Sequence, residues 1–534
     1  MTIRLLALLW LLGFLVSCGP AAKRGDLVFI NGAEPETLDP GLITGQPEGR
    51  IVNALFEGLT TFNSEARPGP GMAESWTISD DKRIYTFKLR PGIAWSDGTP
   101  ITAQVFVDSW RRTLLPDTAA SYNYQLFYVK NAQAFAEGRI AWDDGTPMTA
   151  QDFIDSWRSA PLPDAAAGYN SQLFYVKTAQ AFANGKFTDF AHVGVKALDD
   201  RTLEVTLENP TPFFLDLCAT PPLAPVPTKV IEKYGDDWIK PEHMVNNGAY
   251  VVETWRINDI IRLRKNPHYW NAANVALETI DVLPISKDTV AYNFFASGLA
   301  DLSMDKGLTP PALLDALKKR PEFHPAPFLG TYFLRFNCKK GPFTDDKVRR
   351  AFGMAIDKRR IVEKITRAGE LPATAFVPPG LEGYASPDGL PYDPEKARAL
   401  LAEAGYPDGK GFPLVNYLYD DKGSNEFIAV ELQDMWKKEL GVGVNLAKQE
   451  WKVYLNSMSS LDYDIARSSW VGDYPDPNTF LDMFLTGGGN NRTGWSDPAY
   501  DRLIAEAAAE IDPAKRFGIL KDAQNLLVAE QAPI

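Results

Sequence analysis

This sequence predicts a mixed α/β (α+β) fold, and three observations carry the prediction. Short runs of alternating apolar and polar residues recur far apart along the chain, as half-buried strands require. Between them, apolar residues return every three to four positions, as on one face of a helix. Finally, 45% of the 534 residues are hydrophobic, enough for a large core. In chain order, strands are expected over residues 84–89, 202–207 and 260–264, and helices over 348–365, 394–405 and 425–440. Gly405 and Gly441 supply C-terminal stops, while Asp345 and Asp393 stand where caps or first-turn charges belong. The length allows roughly two to four domains. No long low-complexity linker divides them, so they must pack intimately.

Ahead of these elements, Arg4 is followed by an apolar run over residues 5–16, which reads as an export signal. The run is too short for a spanning helix, which needs about 20 residues, and no second stretch is long enough. Leu15-Val16-Ser17-Cys18 resembles a bacterial lipobox. The resemblance implies removal of the signal peptide, residues 1–17, and lipidation of Cys18. Acyl chains would then anchor a water-soluble body to a membrane face, each buried methylene contributing about 0.8 kcal/mol.

Composition and motifs exclude several function classes. The formal net charge of −13 repels phosphate backbones and no basic stripe overrides it, so nucleic acid is not an expected partner. There is no nucleophile elbow, no His-Glu-x-x-His, no phosphate loop and no dinucleotide fingerprint. Asp80-Asp81 and Asp199-Asp200 sit beside turn residues and read as solvated turns. A lipoprotein enzyme remains a rival class, but no residues present themselves as catalytic. His192, His243, His268 and His324 have no ligand spacing, so no metal site and no cofactor are indicated. Cys218 and Cys338 lie in a compartment that permits disulfides; a bridge and two buried thiols are both open.

The chain also contains a tandem repeat. Residues 93–139 are followed without a gap by 140–186, about three-quarters identical. Two copies do not make a solenoid, so one copy is native and one an insertion. Only the second keeps a carboxylate, Asp152, three residues after its threonine, Thr149, which favours its helix by about 1 kcal/mol. Against that, Pro161 replaces Leu114 late in the same helix. Which copy fills the native slot stays open on sequence alone.

One family accounts for the remaining motifs. Glu34-Pro35-Glu36-Thr37-Leu38-Asp39-Pro40 is followed by Leu55-Phe56-Glu57-Gly58-Leu59 and Gly71-Met72-Ala73-Glu74-Ser75-Trp76. Tyr85-Thr86-Phe87-Lys88-Leu89-Arg90 leads into Trp95-Ser96-Asp97-Gly98, and Asn247-Gly248-Ala249-Tyr250 and Asn266-Pro267-His268-Tyr269-Trp270 come later. Together and in order, these motifs resemble the large periplasmic oligopeptide-binding proteins of ABC transporters, bacterial extracellular solute-binding family 5. The resemblance implies a bilobal, type II periplasmic-binding-protein-like fold with an extra domain and a hinged ligand cleft. Transferred here, lobe I comprises residues 26–44 and 215–319, the extra domain 45–214 with the repeat 93–139/140–186, and lobe II 320–534. The family is expected to return to lobe I at its C-terminus. This sequence ends at Ala532-Pro533-Ile534, so the return segment is expected to be missing and an edge strand left exposed.

The implied function is capture of an oligopeptide outside the cytoplasm and delivery to an ABC permease driven by separate ATPase subunits. The protein is expected to be a monomeric cell-envelope lipoprotein of the periplasm. Extended peptides offer repeating backbone donors and acceptors, so affinity need not depend on side-chain identity. The segment Arg467-Ser468-Ser469-Trp470-Val471-Gly472-Asp473-Tyr474-Pro475-Asp476-Pro477 resembles the family's cleft motif. By that match Asp473 receives the peptide α-ammonium, Trp470 forms part of a wall and Arg467 contributes charge beside the bound main chain. Glu34 matches another ligand-side position. The structural alternative makes Asp473 and Asp476 turn formers, with Trp470 in the core and Arg467 paired. Where some relatives carry an arginine for a ligand carboxylate, the nearest counterpart is Met458. Other ligands of the wider family, dipeptides, murein peptides, oligosaccharides and nickel chelates, therefore stay open, as does a degenerate, non-binding copy.

Overall fold

In the computed structural model, which describes residues 23–534 except 134–192 and positions 116, 117, 119, 121, 131, 305, 327, 328 and 422, the chain enters as strand β1 (Leu27–Ile30). After a helix, Gln46–Leu55, come β2 (Thr60–Phe62), β3 (Pro68–Pro70), β4 (Ala73–Ile78) and β5 (Ile84–Leu89). The helix Ala103–Leu114 precedes β6 (Val195–Asp199) and β7 (Thr202–Thr206), and β8 (Tyr250–Arg256), β9 (Ile260–Lys265), β10 (Thr279–Leu283) and β11 (Leu302–Ser303) follow. The last third holds β12 (Gly330–Phe336), β13 (Val415–Asp420), β14 (Val444–Gln449) and β15 (Ile465–Val471) among helices. The export signal, Cys18 and the second repeat copy lie outside the described residues.

Three larger sheets and one small one result. The first runs β11-β1-β10-β9-β8, with β1 parallel to both β10 and β11. Val28 and Ile30 face a small core with Ala291 and Ala300; on the other side Ile261, Leu263 and Val282 pack with Ile51, Val52 and Leu55. Helix Gln46–Leu55 thus shares the core of the first sheet, although it lies past the expected boundary at residue 44. The second sheet is an antiparallel β4-β5-β7-β6 array. Its alternating pattern turns Tyr85, Phe87 and Leu89 inward, with Leu203 and Val205 beside them, against Phe106, Trp110 and Leu114 of the helix Ala103–Leu114. The third sheet has the order β12-β15-β13-β14. Tyr417 and Tyr419 pack under the helix Asn425–Leu440, while Leu418 faces Tyr454 and Met458 on the opposite side.

The described part of the first repeat copy is built into this fold. Trp110 donates its indole N–H to the Leu223 carbonyl at 2.9 Å, and Arg112 forks onto Asp39 at 3.2 and 2.6 Å. Asp39 also accepts from Trp238, so one buried carboxylate ties the second sheet's helix to the first sheet's core. Thr102 precedes that helix without a side-chain capping bond. Further on, the Lys130 amide donates to Thr206, and the Gly194 amide donates to Lys130 at 2.6 Å. The chain leaves and re-enters this sheet at adjacent points. A Cβ on Gly194 would stand 2.3 Å from the Thr206 oxygen, so only glycine fits there.

Several expectations need correction in detail. The helix expected over 348–365 is broken: Asp346–Met354 ends at Ala355, and Asp357 caps a fresh turn by accepting from Arg360. The strand expected over 202–207 stops at Thr206. Helix Asn425–Leu440 matches its expected bounds, with Gly441 left-handed at its end, and Asp345 and Asp393 accept from the Lys347 and Lys396 amides as caps. Cys218 and Cys338 are free thiols.

Candidate functional site

A cleft of about 2640 Å³ runs between the N-terminal sheets and the third sheet. Its walls come from both sides of the chain: Glu57, Tyr122, Gln125 and Thr220 on one, and Tyr332, Phe333, Arg467, Trp470 and Asp473 on the other. The volume is several times that of an ordinary small-molecule pocket, roughly 300–1,000 Å³.

Strand β15 positions the sequence-predicted residues. It pairs antiparallel with β12, Arg467 opposite Leu334 and Trp470 opposite Thr331, so side chains alternate between the cleft and the core beneath it. Trp470 is buried among Phe333, Phe480 and Tyr122, and its ring stacks on Tyr122 with centroids 6.2 Å apart. It keeps an edge on the cleft, and its indole N–H is buried with no hydrogen-bond acceptor.

Arg467 is held differently from a free ligand charge. Its guanidinium lies 3.0 Å from Asp420, which is fully buried and also accepts from Asn425. Burial works against the Arg467 charge, but the Asp420 carboxylate holds its pKa above the ordinary value. With that charge spoken for, what Arg467 still offers is Nε–H, buried without a partner. It can hydrogen-bond a main chain but has little net charge to give one.

Asp473 stands just past the end of β15. Its amide donates to Thr479 Oγ1 at 3.0 Å, and its Oδ2 accepts from Gln125 Nε2 at 3.2 Å. No Lys, Arg or His of the described residues forms an ion pair with it. The side chain retains some exposure, through the cleft, yet protein surrounds it, and burial pushes the carboxyl up to about 7. An uncompensated carboxylate on a cleft wall can take a cation. Asp476, by contrast, has the turn-forming part: it accepts from the Asn478 amide at 2.9 Å and takes a bidentate fork from Arg516 at 2.7 and 2.8 Å. Beneath both, Asp482 accepts from Asn478 and Tyr128, and burial, then the nearby Asp473 charge, push its carboxyl up to about 8.

Glu34 is not brought to this cluster. Its two oxygens accept from the Trp255 indole at 2.7 Å and the Asn258 amide at 2.9 Å, which ties it to the β8–β9 hairpin, and it does not line the cleft. Met458 is buried beneath the third sheet, among Leu418, Tyr454 and Tyr463. Sequence reasoning missed Tyr122 and Gln125, which face Trp470 and Asp473. The available signal was that Tyr-x-x-Gln occurs once in each repeat copy, at Tyr122/Gln125 and Tyr169/Gln172.

The family model described as bacterial extracellular solute-binding proteins, family 5, middle, matches residues 67–137 and 139–492. The chain is 36% identical over 522 residues to the periplasmic oligopeptide-binding protein OppA of Escherichia coli, covering 96% of this chain and 86% of that one. Among solved structures it is similar to the murein tripeptide-binding protein MppA of Escherichia coli, with 33% identity, a TM-score of 0.82 and coverage of 96% and 92%. It is also similar to OppA of Haemophilus influenzae in complex with the peptide RPPGFSPFR, with 32% identity, a TM-score of 0.80 and coverage of 95% and 91%. Against the unliganded open form of MppA the TM-score falls to 0.59 at the same 33% identity, with coverage of 96% and 91%. The sequence relation being equal, the present structure is less similar to the form titled open than to the other MppA structure.

Proposed function

The chain belongs to family 5 of the bacterial extracellular solute-binding proteins, and from that premise we infer that it is the solute-binding subunit of an ABC importer, capturing oligopeptides in the cleft and delivering them to a membrane permease. The observation that carries the peptide reading is Asp473, a carboxylate with no cationic partner among the described residues, on the wall of a cleft of about 2640 Å³. A peptide α-ammonium supplies the missing charge. The stranded Trp470 and Arg467 donors then meet main-chain carbonyls, which every peptide carries, so tolerance of side chains follows.

In this reading residues 26–44 and 215–319, with helix Gln46–Leu55 packed on the first sheet, form lobe I, the rest of 45–214 the extra domain and 320–534 lobe II. The pairing of β1 with β10 and β11 supports the discontinuous first lobe. Ligand binding shifts the lobes toward the closed arrangement, which the permease recognises. Acylation of Cys18 would tether the protein to the envelope, and no described helix is long and apolar enough to cross a membrane.

Native mass spectrometry of the protein offered a di- to hexapeptide library tests the reading. Intact bound peptides are expected, with N-acetylated counterparts bound poorly. Asp473→Asn is expected to weaken binding by about 1–3 kcal/mol, because a charge-assisted bond is lost while a polar group remains. Equal retention of free and acetylated peptides would remove Asp473 from the site, and cleaved peptides would restore the enzyme class.

A further inference from the structure

We propose that Gln125, from the first copy of the tandem repeat, positions the Asp473 carboxylate for the ligand's ammonium, so that the first copy is the one that builds the recognition site. The proposal rests on the assignment of Asp473 as the ammonium acceptor. Gln125 is 2% exposed. Its Nε2 donates to Asp473 Oδ2 at 3.2 Å, which the acceptor-only carboxylate requires, and its Oε1 lies 3.2 Å from Thr220 Oγ1, whose single proton is shared with the Leu217 carbonyl at 2.7 Å. One carboxylate oxygen is thereby held and the other left for the ligand. A neutral amide suits this task, since a lysine or arginine in its place would neutralise the carboxylate and compete with the ammonium.

The contact also joins three distant stretches of chain. Gln125 belongs to the repeat, Thr220 follows the second sheet, and Asp473 follows β15 on the far side of the cleft. Withdrawal of the third sheet, as in an open form, would separate Gln125 from Asp473 and leave the carboxylate without its donor. The acceptor is therefore oriented in the present arrangement.

That the first copy is committed to this slot follows from neighbours the second copy cannot reproduce. Arg112 neutralises the buried Asp39, and Leu114 is a core residue under the second sheet. At the corresponding positions the second copy has Ser159 and Pro161. Serine cannot balance a buried carboxylate, and proline at the helix end lacks the N–H that Leu114 contributes. Both copies carry the glutamine, as Gln125 and Gln172, so possession of the residue does not by itself decide which one serves.

The test compares retention of a tri- to pentapeptide library by native mass spectrometry between pH 5.5 and 8.5 for the parent, Gln125→Ala, Gln125→Glu, Gln125→Ala with Gln172→Ala, and Asp473→Asn. Thermal melts check folding. Gln125→Ala is expected to bind about ten-fold more weakly at neutral pH, as loss of a hydrogen bond to a charged group predicts. The midpoint of its acidic limb should move upward, because the ionised carboxylate has lost its donor. A role in packing alone would lower affinity without moving that midpoint. Gln125→Glu keeps the size and should impair binding increasingly as pH rises, two carboxylates then facing each other. The double variant should behave as Gln125→Ala. If Gln125→Ala matches the parent while Asp473→Asn fails to bind, the proposal is overturned. If only the double variant is impaired, the proposal is again overturned and the role passes to Gln172. Parent-like binding by Asp473→Asn would instead sink the underlying assignment of the acceptor.

Discussion

At the scale of single residues, the cleft is governed by which charges are already balanced. The Arg467 and Asp476 charges have counter-charges within the protein, whereas among the described residues Asp473 has a neutral donor only. Proton linkage follows. Asp473 and Asp482 have folded-state pKa values raised to about 7 and about 8, against about 3.9 for an unperturbed aspartate. The unfolded chain therefore releases these protons first, and the ligand-free protein should lose stability as pH rises from about 4 to about 8. Urea unfolding across that range should show the decline, and Asp473→Asn with Asp482→Asn should flatten it. Binding an ammonium has the opposite preference, for ionised Asp473, so peptide uptake near pH 6 should release protons. Calorimetry in buffers of different ionisation enthalpy would detect them, and buffer-independent heats would contradict the linkage. The sequence supplied Asp473, Trp470 and Arg467 through a single motif, but not the state of each. Whether a guanidinium is free depends on Asp420, which lies on a neighbouring strand and gives no local sign of the pairing.

At the scale of elements, legibility followed how local the determinants were. Helix Asn425–Leu440 was readable because its glycine stop and apolar stripe lie within its own residues. The interruption after Met354 was not, since Asp357 caps the next turn inside a stretch whose apolar spacing simply continues. The family motifs were visible as words, but their meaning is tertiary. Glu57 accepts from the Tyr269 hydroxyl and from the Trp270 indole at 2.6 Å, and Asn247 bonds the Glu57 backbone, so three motifs meet at one junction. Arg90 from a fourth covers Trp270 at 3.8 Å. Nothing in their spacing announces that they hold one another rather than a ligand. The Asp39–Arg112 pair belongs to this scale too, because it fastens one helix to another sheet's core. Asp39→Ala should cost about 1.5–3 kcal/mol by removing the charged partner of the part-exposed Arg112, read as a lower denaturation midpoint. Replacing both residues by apolar ones should recover much of that loss.

At the scale of the whole molecule, the cleft closes on contacts that cross it. Phe213 stacks on Tyr474 with centroids 4.9 Å apart, and the Tyr128 hydroxyl joins Asn478 and Asp482. These bonds exist only when the third sheet approaches the second. Tyr128→Phe should shift the ligand-free protein toward an open form, seen as a larger radius of gyration in small-angle scattering that saturating peptide brings back. An unchanged radius would make this contact incidental to closure. The bilobal plan could be anticipated from the family resemblance, whereas the identity of the cross-cleft partners could not, because they are far apart in the chain and three of them, Tyr122, Gln125 and Tyr128, come from a duplicated segment. The stacked rings of Tyr122 and Trp470 add an optical consequence. They sit on opposite sides of the moving cleft, so the indole changes neighbours whenever the lobes part. Excited near 295 nm, a wavelength that passes over tyrosine, the protein carries its own reporter, and subtracting the emission of Trp470→Phe from that of the parent isolates a tryptophan that lines the cleft.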